Sequence, residues 1–493
     1  MKSNPANHVA SIQELVTDGW KPDSSLALPL HIQISNYIQA KIRSGAWPAG
    51  MRLAAQRDLA RQLGVNRSTL VSALGQLTAL GLIEGRRGGG TRVALSNDAH
   101  SNRAGNWNDY VEEGIHYPNL PTIQAINRLE FTKGLIRLGT GELSPELLPN
   151  ETMKSILADL SRQSLPLSYE EPLGSLQLRT AISKELSNIG IHAAPSSILI
   201  LSGALQGLQL IGQGLLPRGS TLLLEKPSYL YSIHSFQSVG VKLYGLPMDS
   251  EGLMTQGIEA EVHRTKASLL YTIPTYHNPT GILMTEERRH LLMNTTRALG
   301  LPILEDGAYQ DLWLDNPPPP SLKAMDREGR VLHLGTLSKT VSPGLRIGWA
   351  VGPEPVIRRL ADIKMQSDYG SSSLSQLLAA KWLEEGYHAR HCEVLRMELR
   401  RRRDAVLDML STHFGHLASW NRPTGGFYIW LSLNKPLPLT KLFKAALEVG
   451  LLLNTGDLYN RSDARHLRLS YAYASLTELE IGIKRLAELV SSF

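Results

Sequence analysis

The sequence contains one cysteine, Cys392, among its 493 residues. A single cysteine excludes an internal disulfide bond and favours a reducing, cytoplasmic setting. Long apolar runs are also absent, because the longest apolar stretch, residues 198–216, is interrupted by glycines and glutamines. That pattern predicts a strand followed by a turn and a helix rather than a membrane span. The N-terminal residues are polar and include no apolar export segment, so we expect a cytoplasmic protein without membrane attachment.

The chain is too long for one ordinary hydrophobic core, so two or more domains are expected. Hydrophobic residues make up 42% and charged residues 19%, which is typical of a globular protein. The net charge of +6 is unevenly spread: residues 28–95 carry nine Lys or Arg and two Asp or Glu, a net +7, and the remainder carries −1. A short basic segment is typical of binding to the phosphate backbone of nucleic acid. A solvated charged face would give the same count.

The basic segment also has a helical pattern. Leucine and isoleucine recur at helical spacing over residues 30–42, and a glycine closes a second, short helix. Asn66 is placed to cap a third helix, whose first turn carries Arg67, Ser68 and Thr69 on its outer face. This helix-turn-helix pattern, with polar residues at the start of its second helix, predicts contact with base edges of DNA.

A glycine-rich hairpin with a basic turn follows at residues 82–93 and is typical of a wing. Its arginines, Arg86 and Arg87, are placed to reach phosphates or a minor groove. A small helical domain with an ordinary surface hairpin is the alternative interpretation. The order of helix, helix-turn-helix and basic wing favours DNA binding.

With these elements in this order, the segment resembles the winged-helix domain of the GntR regulators. The matching residues are Pro29, Leu30, Arg52, Leu53, Arg57, Leu59, Ala60, Leu63, Gly64, Val65, Arg67, Thr69, Leu77, Gly81, Leu82, Ile83, Gly90 and Thr91. The resemblance implies that Arg57, Arg67, Thr69 and the wing near Gly89 contact DNA. The sequence departs from the family at Ala54-Ala55, where Pro-Ser is usual, which predicts the loss of a small contact that positions the backbone.

Composition changes after the wing. Residues 96–106 are almost entirely polar, as in a linker, and sparse aromatic residues then predict that the end of this segment docks on the next domain. The sequence therefore predicts an N-terminal extension (1–27), a winged-helix domain (28–95), a linker (96–128) and a large domain (129–493).

The large domain alternates short apolar strands with helical stretches, which indicates an α/β fold with a largely parallel sheet. The candidate strands are Ile198–Leu201, Thr221–Leu224, Leu269–Ile273, Ile303–Leu304 and Val331–Leu334. Several are followed by polar, chemically useful residues, as expected at the carboxyl edge of such a sheet.

One amine and one arginine follow the last of these strands. Lys339 can form a Schiff base with an aldehyde cofactor, while Ser338 and Arg346 can hold an anionic group beside it. The glycine loop at residues 203–207 opens a helix whose backbone N–H groups suit a phosphate. Taken alone, that loop is equally well explained as a simple turn between a strand and a helix.

Three further residues follow other strands. The Asn278 amide can donate to a phenolate oxygen, and Tyr309 can hydrogen-bond the same oxygen. A buried Asp306 needs a cationic partner, such as a protonated pyridine nitrogen. Each has an ordinary explanation, because Asn-Pro turns are common and an Asp at a strand end often caps a helix. Together with Lys339 they match one cofactor, pyridoxal 5′-phosphate.

Over nearly all of residues 129–493, the chain resembles the fold-type-I, pyridoxal-phosphate-dependent aminotransferases. The resemblance implies that Lys339 forms the Schiff base, that Asp306 binds the ring nitrogen, that Asn278 and Tyr309 bind the phenolate O3′ and that Tyr229 stacks on the ring. It further implies phosphate contacts from Ala204, Leu205, Ser338 and Arg346, a contribution from Tyr169 across a dimer, and an α-carboxylate contact from Arg468. Ala204-Leu205 depart from the family, where a hydroxyl or amide residue followed by Gln is common, which predicts altered phosphate binding rather than its loss.

The combination of both domains resembles the MocR subgroup of the GntR regulators. It implies a homodimeric transcriptional regulator that binds a double-stranded DNA operator and uses no metal. Its aminotransferase-like domain is expected to sense pyridoxal phosphate, an amino compound, or both, through an aldimine at Lys339. A working aminotransferase that carries a DNA-binding domain is the alternative, because the residues for its half-reaction are present. An architectural DNA binder with a degenerate cofactor fold would leave their agreement unexplained.

Overall fold

The computed structural model describes residues 19–26, 28–44, 46–48, 50–86, 90–94, 107, 118–165 and 167–493. Contacts within the chain divide it into two compact units, Met1–Gly114 and Ile115–Phe493. We call them the N-terminal unit and the large unit.

The N-terminal unit is a three-helix domain with a hairpin. Its elements are α1 (Leu30–Arg43), α2 (Gln56–Leu63), α3 (Arg67–Ala79), β1 (Ile83–Arg86) and β2 (Gly90–Val93). Gly64 ends α2 with φ of 69°, a left-handed conformation that glycine adopts without strain. Helices α1 and α2 pack on α3, and β1 pairs antiparallel with β2. The helix-turn-helix and the paired wing strands are therefore confirmed.

Helices of the large unit surround its sheets. They are α4 (Pro121–Leu129), α5 (Asn150–Leu160), α6 (Leu176–Asn188), α7 (Ala204–Gly214), α8 (Ile258–Thr265), α9 (Glu286–Ala298), α10 (Leu322–Met325), α11 (Glu354–Ser367), α12 (Ser373–Glu384), α13 (Tyr387–Phe414), α14 (Leu439–Glu448) and α15 (Leu476–Ser491). Within the described part of the chain, none combines the length and the apolar character needed to span a bilayer.

Strands of the large unit form one main sheet and two smaller ones. They are β3 (Ile136–Arg137), β4 (Ile198–Leu201), β5 (Thr221–Lys226), β6 (Lys242–Asp249), β7 (Gly252–Leu253), β8 (Ala267–Thr272), β9 (Ile303–Asp306), β10 (Val331–Thr336), β11 (Gly348–Val351), β12 (Ala418–Trp420), β13 (Tyr428–Leu433), β14 (Leu451–Leu452), β15 (Asn454–Thr455) and β16 (His466–Ser470). The main sheet has the order β4-β11-β10-β9-β8-β5-β6-β7, and a four-stranded sheet has the order β12-β13-β16-β15.

Parallel pairing at the centre of the main sheet creates the site. Strands β10, β9, β8, β5 and β6 are parallel neighbours, and the antiparallel β11 lies between β10 and β4, so β4 runs in the same direction as β10. Strand β4 is fully buried, as expected for a sheet covered on both faces. The residues that follow β4, β5, β8, β9 and β10 therefore meet at one edge.

Helix α4 begins inside residues 96–128, the segment predicted as a linker, and ends one residue beyond it at Leu129. Pro121 stands in its first turn, and Ile123 and Ile126 are buried in the core of the large unit. A short amphipathic helix needs only a few apolar positions to pack. The polar composition of residues 96–106 therefore does not carry over to the end of the segment, where two isoleucines are enough.

Candidate functional site

A cavity of about 320 Å³ opens at the carboxyl edge of the parallel strands, and we call it the cofactor cavity. Ten of the large-domain residues singled out from the sequence line it: Ala204, Leu205, Tyr229, Asn278, Asp306, Tyr309, Ser338, Lys339, Arg346 and Arg468. They come from segments more than two hundred residues apart in the chain, so the fold itself brings them together.

Lys339 follows strand β10 by three residues. Its Nζ donates to the backbone oxygen of Gly141 at 2.7 Å, which holds the amine in the wall of the cofactor cavity. Its positive charge acts on Asp306 across the cavity. The amine and the carboxyl group thus line the same cavity.

Asp306 is the last residue of β9, and its side chain is only 6% exposed. Burial raises the pKa of the Asp306 carboxyl, although hydrogen bonds from Tyr271 and Ala308 act in the opposite direction. The Tyr271 hydroxyl donates to Oδ2 at 2.8 Å, and the Ala308 N–H donates to Oδ1 at 3.1 Å. A buried carboxyl that faces a cavity needs a cation there to stay ionised, which is what a protonated pyridine nitrogen provides. Tyr271 was missed in the sequence because it lies inside an apolar strand.

Arg468 is buried, with 6% of its surface exposed, although a lone arginine in a strand usually lies on the surface. Its guanidinium donates to Asn278 Oδ1 at 2.8 Å and to the backbone oxygen of Gly139 at 2.7 Å. It also lies 4.2 Å above the ring of Tyr428. Because Oδ1 of Asn278 is occupied, the Nδ2 end of this amide is the part that can donate to a ligand oxygen.

Two tyrosines complete the wall on this side. The hydroxyls of Tyr309 and Tyr428 are 2.9 Å apart, and burial raises the pKa of Tyr309 well above its ordinary value. The phenol therefore remains protonated at neutral pH and can donate to a phenolate oxygen. Tyr428 carried no motif in the sequence. Tyr229 also lines the cavity. Its backbone N–H donates to the backbone oxygen of Asn278 at 3.2 Å, which fixes its position.

The opposite end of the cofactor cavity is suited to an anion. Gly203 precedes α7 with φ of 88°, and the first N–H groups of the helix, at Ala204 and Leu205, have no partner inside it. Arg346 donates to the Ser202 oxygen at 2.9 Å, and a Cβ on Gly203 would stand 2.5 Å from its guanidinium. The glycine therefore lets the arginine approach the helix terminus. Ser338, in the same cavity, adds a hydroxyl.

Tyr169 does not lie in the cofactor cavity of its own chain. Its side chain is 81% exposed, and its ring lies edge-on to Tyr369 with 4.9 Å between the centroids.

A buried acid–base pair, missed in the sequence, adjoins the cavity. Glu225 accepts hydrogen bonds from the Thr272 hydroxyl and from the Ile273 N–H, the latter at 3.0 Å. Burial, with a smaller contribution from the charge of Asp306, raises the pKa of Glu225 to about 7, although these hydrogen bonds act in the opposite direction. The Nε2 of His277 is 3.9 Å from Glu225 Oε2, and burial lowers the pKa of this histidine to about 3. The one signal for this pair was an acidic residue in the apolar strand β5.

In the N-terminal unit, Asn66 caps α3 and orders the residues predicted to contact bases. Its Oδ1 accepts from the Thr69 N–H at 2.8 Å and from the hydroxyls of Ser68 and Thr69 at 2.8 and 2.7 Å. A surface groove beside it is lined by Arg52, Arg57, Arg61 and Arg67. Arg87, Gly89 and the side chain of Arg86 lie outside the described residues.

Comparison with known proteins separates the same two parts. Residues 30–93 match the family described as bacterial regulatory proteins, gntR family, and residues 133–486 match aminotransferase class I and II. The HTH-type transcriptional regulator YisV of Bacillus subtilis is 50% identical over 95% of this chain and 97% of its own. NorG, an HTH-type transcriptional regulator of Staphylococcus aureus, is 31% identical over 86% of this chain and 96% of its own.

Among solved structures, LysN, an α-aminoadipate aminotransferase from Thermus thermophilus, superposes with a TM-score of 0.72 and 30% identity. The match covers 78% of this chain and 98% of that one. The aminotransferase fold implies pyridoxal 5′-phosphate as the cofactor of the large domain. The residues present fit this group, because the buried Asp306 accepts hydrogen bonds from Tyr271 and Ala308 but forms no salt bridge within the described residues, and the helix start beside Arg346 has no side-chain cap.

The family matches and the relatives agree over most of the chain. The chain therefore belongs to the MocR subgroup of the GntR family, a group of DNA-binding transcriptional regulators, and its large domain belongs to the class I and II aminotransferases.

Proposed function

We propose that the large domain senses pyridoxal phosphate, an amino compound, or both, and that this signal changes the affinity of the N-terminal domain for its operator. The observation that supports the proposal is that Lys339 and Asp306 line one cavity, in a chain that also carries a groove lined by four arginines. A cavity of this kind distinguishes amines from other ligands by chemistry as well as by shape.

The cofactor supplies an aldehyde carbon that forms a carbon–nitrogen double bond with a primary amine. In this proposal Lys339 provides that amine in the resting state, and Asp306 holds the ring nitrogen protonated. Asn278 and Tyr309 donate to the phenolate oxygen, and Tyr229 packs on the ring. Arg346, Ser338 and the N–H groups of Ala204 and Leu205 bind the phosphate, while Arg468 binds the α-carboxylate of an incoming amino acid.

DNA contacts are proposed for Arg57, Arg67, Ser68, Thr69 and the wing residues Arg86, Arg87 and Gly89. The boundaries proposed are residues 28–95 for the DNA-binding domain and 129–493 for the effector domain, with residues 96–128 connecting them. We place the protein in the cytoplasm, where the operator is.

A homodimer is part of the same proposal. Tyr169 lies outside the cavity of its own chain, and Leu167, Tyr169 and Tyr369 are large side chains left exposed. A second copy that covered them would bring Tyr169 to the phosphate end of the partner's cavity. A dimer would also present two DNA-binding domains to an operator with two half-sites.

DNA binding at fixed salt, measured with and without pyridoxal phosphate and then with amino compounds, tests the proposal. We expect one of these additions to change the affinity of the wild-type protein for its upstream DNA. The variant Lys339→Ala should bind that DNA and lose the response to amines. A response that persists in this variant would contradict sensing through Lys339.

The second candidate is a working aminotransferase, which the presence of Lys339, Asp306 and Arg468 in one cavity favours. Formation of keto acid from varied amino donors separates the two. Sustained turnover favours the enzyme, whereas binding of an amine without turnover favours the sensor.

A further inference from the structure

A second cavity of about 550 Å³ adjoins the cofactor cavity, and we call it the outer cavity. Glu130, Leu205, Tyr229 and Arg468 line both. An amino compound that reaches Lys339 with its amine and Arg468 with its carboxylate therefore extends its side chain toward the outer cavity. The walls of that cavity decide which side chains are accepted.

Amide and hydroxyl side chains line much of the outer cavity, among them Asn127, Gln209, Gln213 and Ser238, and aliphatic side chains such as Ile123 line part of the rest. The amides and hydroxyls can hydrogen-bond a polar group of the ligand, and an aliphatic side chain placed against them would leave them without that partner.

The charged side chains of the two cavities narrow the class of ligand further. Among the described residues that line the two cavities, the Lys, Arg, Asp and Glu side chains are Glu130, Glu142, Asp306, Lys339, Arg346 and Arg468. In the proposed function, Asp306, Lys339, Arg346 and Arg468 each have a partner in the cofactor or in the α-carboxylate of the ligand. Glu130 and Glu142 have none.

Glu130 is held in place for such a contact. Its Oε1 accepts from the Thr140 hydroxyl at 3.0 Å, and Thr140 is buried. Burial lowers the pKa of Arg468, but the surrounding tyrosines and Glu130 raise it to a higher value than usual. Glu130 and Arg468 line both cavities, so the two side chains are neighbours. Once Arg468 binds the α-carboxylate of a ligand, two carboxylates lie near one guanidinium, and a second cation is favoured.

We propose that the sensed compound is a basic α-amino acid, whose α-carboxylate binds Arg468 and whose distal cationic group binds Glu130. This inference rests on the proposed function, because it takes an amino compound as the ligand of the cofactor cavity. Glu130 then determines specificity, from a position where it lines both cavities.

Calorimetric titration of the protein loaded with pyridoxal phosphate tests this inference. The ligands are L-lysine, L-norleucine, which lacks the distal ammonium, and L-2-aminoadipate, which carries a distal carboxylate. We expect lysine to bind about tenfold more tightly than norleucine, and aminoadipate to bind most weakly. In Glu130→Gln, which keeps an oxygen for Thr140, lysine should lose about tenfold while norleucine binds as before.

Glu151→Gln is the matched control, because Glu151 lies on the exposed surface of α5, where it pairs with Lys154. This variant should keep the preference for lysine. Norleucine binding by Glu130→Gln shows in the same experiment that the cavity is still folded. Equal binding of lysine and norleucine by the wild type, or an unchanged preference in Glu130→Gln, would overturn the inference.

DNA binding measured with the same three ligands distinguishes this failure from that of the proposed function. Equal effects of lysine and norleucine on operator affinity would leave sensing in place and remove the specificity. Binding of none of the three ligands would remove the inference together with amino acid sensing.

Discussion

At the residue scale, the buried pair of Glu225 and His277 shows how much charge control lies behind the cofactor cavity. Both side chains are almost completely enclosed, and burial moves their pKa values toward the neutral form, to about 7 for the acid and to about 3 for the base. Between pH 3 and pH 7 both groups are uncharged, because the acid keeps its proton below its pKa and the histidine stays deprotonated above its own. The neutral pair therefore avoids the cost of two buried charges next to Asp306.

The variant Glu225→Gln tests this directly. The pKa of Glu225 is raised from 4.5 to about 7, so its contribution to the free energy of unfolding is present below pH 4.5 and is lost as the pH rises through 7. That loss amounts to about 3 kcal/mol if the glutamate titrates alone. Relative to the wild type, Glu225→Gln should therefore be least stable near pH 4.5 and should gain stability up to pH 7.

Thermal unfolding midpoints of both proteins across this pH range provide the measurement. Glu151→Gln removes an exposed carboxylate and should give a flat difference from the wild type. A flat difference for Glu225→Gln as well would mean that this glutamate is ionised in the folded protein.

At the element scale, helix α2 begins without a side-chain cap. Its N-cap is Ala55, which has no oxygen to accept a backbone N–H, whereas the N-cap of α3, Asn66, accepts one from Thr69. Ala55 belongs to the Ala54-Ala55 pair that departs from the GntR family. It lines the surface groove that also contains Arg57 and Arg67. One departure in sequence thus becomes one helix terminus without a side-chain cap, beside the groove proposed to bind DNA.

Ala55→Ser should restore the cap. A serine at this position is worth about 1 kcal/mol, so the unfolding midpoint of the N-terminal domain should rise. The new hydroxyl also adds a donor beside the groove, which should strengthen operator binding at fixed salt. Ala54→Ser is the matched control, because residue 54 lies before the N-cap and gains no helix contact. Equal gains from both substitutions would contradict capping as the cause.

The elements themselves were largely predictable, since short apolar runs gave the strands of the parallel sheet and glycines marked the turns. Parallel pairing then brought ten of the candidate residues to one edge. The burial of Arg468 was not predictable, because a charge in a strand predicts exposure. Its partner Asn278 lies 190 residues away, and the local sequence carries no sign of such a contact. The Glu225–His277 pair was missed because its two members also lie far apart in the chain, and an acidic residue in strand β5 does not indicate its partner.

At the scale of the whole molecule, the exposed position of Tyr169 bears on the proposed homodimer. Its ring is exposed and separate from the cofactor cavity of its own chain, so the proposed phosphate contact requires a second copy. Each dimer would then hold two sites, each built from the Lys339 of one subunit and the Tyr169 of the other. Because the two residues of one site would come from different subunits, they can be substituted on separate chains.

Co-expression of Lys339→Ala and Tyr169→Ala tests the arrangement. In a hybrid dimer, the site with the intact Lys339 receives an intact Tyr169 from the partner subunit, and the other site carries both substitutions. Each parent homodimer has two damaged sites. Tightly bound pyridoxal phosphate should therefore be absent from the Lys339→Ala homodimer, and its binding should be weakened in the Tyr169→Ala homodimer. The purified hybrid should bind one cofactor per dimer with wild-type affinity, measured by absorbance during titration. If Tyr169 instead served its own chain, the hybrid would contain no intact site, and its cofactor affinity would match that of the parents.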